Sequence, residues 1–294
     1  MPKILVNATT NRSGGSVQKA VQFIARAARD DSQRWRFVVS DVVATNLEAL
    51  GALDPGRTLI TAASPARPID GAATRLALRR AEREFAPDAI YTVYGPTYVR
   101  FCAPHLMGLA APWTICPSEL AWRTITSRRA RLRKRLENAV KARVARLAQR
   151  WETETATAAA GLAARLGALR ERVAVVPNNC SAMYYRAREE GVAPHPALGP
   201  ADRHEFRLLV FTRHYPHKNL EIIPRVAQAL RRLDGGRRYS FVLILEPHSP
   251  PLRAILDDAR RLGVSDSVIS LGPQLVDDAG VIRHLSASME GPSL

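Results

Sequence analysis

Short β-branched runs, each followed by a helical periodicity, recur along this 294-residue chain from Lys3 and again from Arg207. Lys3–Val6 reads as a strand, Asn7–Gly15 as a polar turn, and Ser16 opens a helix with Val17, Val21, Ile24 and Ala28 on one side. Arg36–Val39, Thr58–Ala62, Ala89–Val93 and Trp113–Cys116 follow as strands, with helices at Asn46–Leu50 and Gly71–Phe85. The alanine-rich stretch Thr153–Leu169 is helical by propensity, and Arg172–Val176 is a strand stopped by Pro177. Residues 186–205 hold Gly191, Pro194, Pro196, Gly199 and Pro200 without sustained periodicity, which marks a linker. Beyond it come strands at Arg207–Thr212, Tyr239–Leu245 and Ser267–Leu271, and helices at Leu220–Leu233, Pro251–Leu262 and Asp277–Ser288. Such alternation implies parallel sheets with helices on both faces. The expected fold class is therefore α/β, with two Rossmann-like, doubly wound domains at 1–185 and 206–294. In sheets of this kind ligands collect at the carboxyl ends of the strands, so chemistry is sought in those loops.

Composition narrows the class without naming a reaction. With 46% apolar and 24% charged residues the chain is globular rather than disordered. Three cysteines with no CxxC pair fit a reducing compartment, and neither a signal peptide nor an 18-residue apolar run is found; a cytoplasmic protein is expected. The net charge of +16 is concentrated. Between Arg123 and Arg150 eleven Lys/Arg face one acid, Glu137, so this window carries +10. Leu132, Leu136, Val140, Val144, Leu147 and Trp151 recur there as a helical stripe with cations on the opposite face. Three readings stand side by side: a solvated face on a helix packed to the body, a surface for an anionic membrane, and a nucleic-acid surface. No nucleic-acid module signature accompanies the charge, so no nucleic-acid partner is expected.

Three loops could carry chemistry. Gly14 and Gly15, after the first strand and before the first helix, let the backbone pass close to a ligand at an exposed helix N-terminus. They match neither GxGxxG nor GxxxxGK[ST], and a purely structural turn is the alternative. The stretch Phe211–Leu220 places Arg213 at a strand end and Lys218, followed by Asn219, at a helix entrance. A planar guanidinium fork, an ammonium and a helix dipole at one point suit a diphosphate. The third is Tyr91–Pro96 together with His105, a lone histidine in a Pro/Gly-rich apolar segment, which is either a satisfied structural residue or a catalytic one. Metal-ligand spacings and GxSxG are absent, so neither a metal nor a hydrolase elbow is expected.

Taken in order, these pieces resemble a family 4 glycosyltransferase of the GT-B fold. The resemblance runs through the Gly14–Gly15 loop, Tyr91–Pro96 with His105–Ala110, and Val175–Asn179. It continues in Arg213–Leu220 against the family's "GR…KN" loop, Val268–Gly272 against its "V.F.G" strand, and Leu285–Leu294 against its approach to "PS". The resemblance implies transfer of a sugar from a nucleoside-diphosphate sugar to an acceptor, with retention and without a metal or cofactor. By it, Arg213 and Lys218 hold the diphosphate, Gly14 and Gly15 approach donor or acceptor, His105 faces the reacting sugar, and Asn178 and Asn219 line the cleft. A glycan or lipid-linked acceptor, with peripheral docking of the basic helix on the inner face of the membrane, completes the expectation. Two departures accompany it: Thr212 stands where the family has glycine, and the chain stops at Pro292-Ser293-Leu294, short of the family's paired glutamates. The second sheet is accordingly expected to be incomplete and the chain truncated. A non-catalytic nucleotide-sugar or membrane-associated protein, and a sugar-nucleotide epimerase of the same fold, are the alternatives.

Overall fold

The computed structural model describes residues 1–271 except 124, 180–184, 186–188, 190–197, 199–203, 213, 216, 217 and 234–236. The chain divides into two compact units, Met1–Asn179 and Cys180–Leu294. The linker read at 186–205 lies mostly outside the described residues, as do Gly272 and the helix read at Asp277–Ser288.

The first unit is built on seven parallel strands: β1 (Lys3–Ala8), β2 (Arg34–Ser40), β3 (Thr58–Thr61), β4 (Ala89–Thr92), β5 (His105–Gly108), β6 (Arg150–Thr153) and β7 (Val173–Val175). Their order is β3-β2-β1-β4-β5-β6-β7. The order reverses between β1 and β4, which pair from Ile4 opposite Ala89 to Asn7 opposite Thr92. Helices α1 (Gly15–Ala27), α2 (Asp41–Ala49) and α3 (Ala72–Phe85) connect the first strands. Burial on both faces explains the near-continuous apolar runs. Val6, Phe37 and Val39 pack with Val17, Val21 and Ile24 of α1 and Val43 and Leu47 of α2. Leu5, Val38 and Ile90, from the other face of the same strands, pack with Leu78 of α3 and with Phe101. The Ser40 hydroxyl accepts from the Val43 N–H at 3.2 Å and starts α2 immediately after β2.

Three local expectations are corrected here. Trp113–Cys116 is not a strand: Pro112 occupies a first-turn position of the short helix α4 (Pro112–Ile115), where its missing N–H costs nothing, and the neighbouring strand is β5 instead. A second short helix, α5 (Glu119–Arg123), precedes the basic helix α6 (Arg128–Ala145). The apolar stripe does not run on to Trp151. Helix α6 ends at Ala145, the Trp151 indole N–H donates to the Ala145 carbonyl at 2.9 Å, and Trp151 lies in β6. Nor does the stripe face the body. Helix α6 packs through Asn138, Ala142 and Ala145, while Leu132 (60% exposed), Leu136 (60%) and Val140 (54%) stand in solvent. The small side chains of Ala142 and Ala145 let the helix approach α4 and α7 (Ala156–Leu166), which decides which side turns inward.

The second unit has three parallel strands among its described residues, β8 (Glu205–Val210), β9 (Arg238–Leu243) and β10 (Val268–Ser270), in the order β10-β9-β8. Helices α8 (Ile223–Leu233) and α9 (Pro250–Arg261) cover one face. There Ile223 and Ala227 of α8 and Leu252 and Ile255 of α9 bury Phe241 and Leu243 of β9. Val242, on the opposite face, packs with Leu198 and Leu271.

Candidate functional site

The carboxyl ends of β1 and β4 meet where the strand order reverses, and they are polar although buried. The Asn7 amide donates to Thr92 Oγ1 (3.2 Å) and Thr97 Oγ1 (3.1 Å), and its oxygen accepts from the hydroxyl of Thr9 at 2.8 Å. Asn7, Thr9, Thr92 and Thr97 are each 0% exposed. One step further out, the Thr10 hydroxyl donates to the Tyr94 carbonyl at 3.1 Å and fastens the two loops together. This network fixes the backbone of Thr92–Tyr94, on which the more accessible groups stand.

Those groups converge from α1, β4, β6 and the end of β7. Glu152, 6% exposed, accepts at Oε1 from Lys19 Nζ (3.1 Å) and from the Tyr91 hydroxyl (2.6 Å). The Lys19 ammonium also lies 4.3 Å from the centre of the Tyr94 ring. The Tyr94 hydroxyl donates to Glu154 and approaches Asn178 Oδ1 at 3.0 Å, and the Asn178 amide donates to Glu154 Oε1 at 2.6 Å. Burial first, then the neighbouring carboxylates, push both phenols far above their ordinary range, so each stays protonated and donates. Gly108 packs closely beside this cluster: a Cβ there would stand 3.1 Å from Glu152 Oε1 and 3.1 Å from the Tyr94 nitrogen, so a side chain would press on both. Two carboxylates, two phenols, an ammonium and an amide at one sheet edge can exchange hydrogen bonds with a polyhydroxylated ligand.

Of the residues expected from the sequence, Asn178 belongs to this cluster. Gly14 takes φ 64 and ψ −154, a conformation that suits glycine alone. A Cβ on Gly15 would meet nothing within 4 Å, so the start of α1 is open to an approaching group. His105 is placed differently from the expectation. It is the first residue of β5, 2% exposed, with Nε2 2.8 Å from Thr92 Oγ1 and its ring edge-on to Phe101. It therefore reaches the polar edge only through Thr92, and Nδ1 finds no partner among the described residues. Burial lowers its pKa to about 4.

That burial has a consequence for stability. Unfolded, the imidazole takes up a proton below about pH 6.5; folded, it resists until about pH 4, so stability falls as pH drops through this window. The loss attributable to His105 reaches about 3 kcal/mol. Urea unfolding at pH 7 and pH 4 should therefore show a markedly smaller decline for His105→Gln than for the wild type; parallel declines would refute the assignment.

In the second unit, Lys218 is exposed and its backbone N–H donates to the Tyr215 carbonyl at 2.8 Å. Asn219 adopts a left-handed conformation (φ 49, ψ 46) that asparagine tolerates, and leads through a 3-10 turn, Leu220–Ile222, into α8. Arg213 lies outside the described residues. His214 Nε2 is 2.6 Å from Glu221 Oε1 and engages the one carboxylate of the loop.

Lys19, Glu152 and Glu154 were not singled out from the sequence. For the two acids the signal is the pattern Trp151-Glu152-Thr153-Glu154: read as a strand, it puts one acid in a buried strand and another at its carboxyl end. No group of three or more His, Cys, Asp or Glu suited to a metal ion occurs among the described residues. None of the described helices is long and apolar enough to cross a membrane.

No protein-family model and no curated protein matches the sequence. Solved structures do match in shape. Anabaena HepE in complex with UDP aligns with a TM-score of 0.55 and 17% identity, over 92% of this chain and 69% of that one. The lipopolysaccharide outer core galactosyltransferase WaaB aligns with a TM-score of 0.59 and 12% identity, over 97% and 72%. A UDP-GlcNAc 2-epimerase from Neisseria meningitidis, bound to UDP-GlcNAc, aligns with a TM-score of 0.54 and 14% identity, over 96% and 74%. With its seven-stranded parallel sheet and second, smaller parallel sheet, the chain has the α/β architecture of the GT-B fold.

Proposed function

We propose that the protein is a glycosyltransferase that moves a sugar from a nucleoside-diphosphate sugar to an acceptor, with retention and without a metal. The observation that supports this most is the polar cluster Lys19, Tyr91, Tyr94, Glu152, Glu154 and Asn178 at the strand-order reversal of a GT-B-type sheet. The likeness to HepE with UDP or UDP-glucose, and to a galactosyltransferase, supports a uridine nucleotide sugar as donor. On this reading Arg213 and Lys218 neutralise the diphosphate as it leaves, Asn219 sets the loop, and Gly14 and Gly15 admit the donor or acceptor. Glu154, Tyr94 and Asn178 orient acceptor hydroxyls, and His105 positions Asn7 through Thr92. We further place the protein in the cytoplasm, acting on a lipid-linked or cell-envelope glycan at the inner face of the membrane.

Calorimetric titration of the 294-residue protein with UDP-, GDP- and dTDP-sugars tests the donor class directly. Saturable binding of one base series supports it, and no binding of any of them refutes it. A second reading, epimerisation at the sugar C2, follows from the likeness to the Neisseria enzyme. Proton NMR of the bound sugar nucleotide incubated without acceptor separates the two: an inverted C2 centre means epimerase, whereas an unchanged sugar that is consumed only when acceptor is added means transferase.

A further inference from the structure

We propose that the outward face of α6 docks on an anionic lipid bilayer by inserting an aliphatic ridge between arginines. The proposal goes beyond glycosyl transfer and stands independently of it. Leu132, Leu136 and Val140 are four residues apart, so they rise about 6 Å per step along one line of the helix. All three are more than half exposed, while Asn138, Ala142 and Ala145 on the other side seat the helix.

Arg128, Arg129, Arg133 and Arg143 are exposed around the ridge and make no ion pair among the described residues. The helix's only acid, Glu137, is taken up by Lys134 at 3.1 Å and Lys141 at 2.5 Å. Beside the helix, Trp113 and Trp122 meet edge-to-face at 5.3 Å, with Lys134 over the first ring and Arg135 over the second. Cations around an aliphatic line, with tryptophans at its margin, are what a helix lying in the headgroup region presents.

Charge decides the occupant. A second copy docking through the same face would set these arginines against their own counterparts. A nucleic acid would use the cations but leave the three aliphatic side chains against phosphate and water. An anionic bilayer uses both, because headgroups neutralise the guanidinium groups and the acyl boundary accepts the Leu and Val side chains. The turn of the ridge also changes the salt dependence expected of this helix. Adsorption through cations alone vanishes at high salt, whereas insertion leaves a salt-resistant remainder.

Co-sedimentation of the intact protein with phosphatidylglycerol-containing vesicles, and with pure phosphatidylcholine vesicles, tests this at about 0.1 M and about 0.5 M NaCl. Binding should favour anionic vesicles at least about tenfold and retain a measurable fraction at high salt. Leu132→Gln with Leu136→Gln keeps the charge and should weaken binding about tenfold or more, abolishing the salt-resistant fraction. Arg129→Gln with Arg133→Gln should remove the preference for anionic lipid. Because these positions face solvent, thermal unfolding of both double variants should match the wild type. Equal binding to neutral and anionic vesicles, or an unaffected leucine variant, overturns the proposal. So does a dimer in sedimentation velocity that dissociates in the leucine variant, or tighter binding to duplex DNA than to vesicles. None of these readouts depends on sugar transfer, so the surface and the reaction fail separately.

Discussion

Lys19→Met is expected to lower the free energy of unfolding by about 3 kcal/mol, far more than Glu152→Gln. The two residues lie 133 positions apart and join α1 to β6 at 3.1 Å. Their exposures are unequal: 21% of the Lys19 side chain reaches solvent but only 8% of that of Glu152. Without the ammonium, the carboxylate stays buried with a single phenol for compensation, and an unpaired buried charge is strongly destabilising. Without the carboxylate, the ammonium can turn toward water, and the amide introduced by Glu152→Gln still accepts from Tyr91, so about 1 kcal/mol is expected. Lys19→Met combined with Glu152→Gln should recover most of the loss of the first. Urea unfolding of the four proteins, with unchanged denaturant slopes, measures the cycle. A cost below about 0.5 kcal/mol for Lys19→Met would show that Glu152 is adequately solvated without it. The same substitution removes the cation above the Tyr94 ring, so in the proposed transferase it should also raise the acceptor KM.

The largest functional effect is expected from Arg213→Ala combined with Lys218→Ala, which should weaken nucleotide-sugar affinity about 100- to 1,000-fold. Each hydrogen bond to a charged group contributes about 1.5–3 kcal/mol, and two such donors on one diphosphate, each at the lower end of that range, sum to about 3–4 kcal/mol, which is this fold-change. Lys218 is exposed, so its removal leaves the second unit's core of Phe241, Leu243 and Ile255 intact. Calorimetry with the nucleoside diphosphate and with the nucleoside monophosphate separates the roles: the double variant should lose the preference for the diphosphate. Binding of the diphosphate within about threefold of wild type would remove both residues from the proposed donor site. Gly14, Gly15 and the start of α1 would then be the alternative phosphate contact.

Much of the architecture could be read directly from the residues. Val38-Val39, Ala89–Thr92 and Phe241–Leu243 announce buried parallel strands because both of their faces are covered, and the structure places them as such. Where a local pattern is ambiguous, periodicity misleads. Leu147 and Trp151 keep the i, i+4 phase of α6, although the helix has already ended at Ala145 and β6 begins at Arg150. Hidden in that misread strand was Glu152, and beyond it Glu154. Two of the six residues of the candidate site, Glu152 and Glu154, are thus hidden by one element boundary. Asn178 and Gly14 can be singled out as candidates because a residue following a strand and a glycine before a helix carry local signals. The partnership of Lys19 with Glu152 carries none, because no short-range pattern marks a contact between residues 133 positions apart.

From its own order of residues the chain settled an alternating α/β layering, the concentration of positive charge in residues 123–150, and a polar character for the loops that end the strands. Only the packed structure decided that His105 is interior, that Glu152 is neutralised by Lys19, and that the ridge of α6 faces outward. The physical reason is that periodicity reports only that an element has two unlike sides. Which side turns in depends on close approach to elements distant in sequence, here Ala142 and Ala145 against α4 and α7, and that choice is made by packing alone.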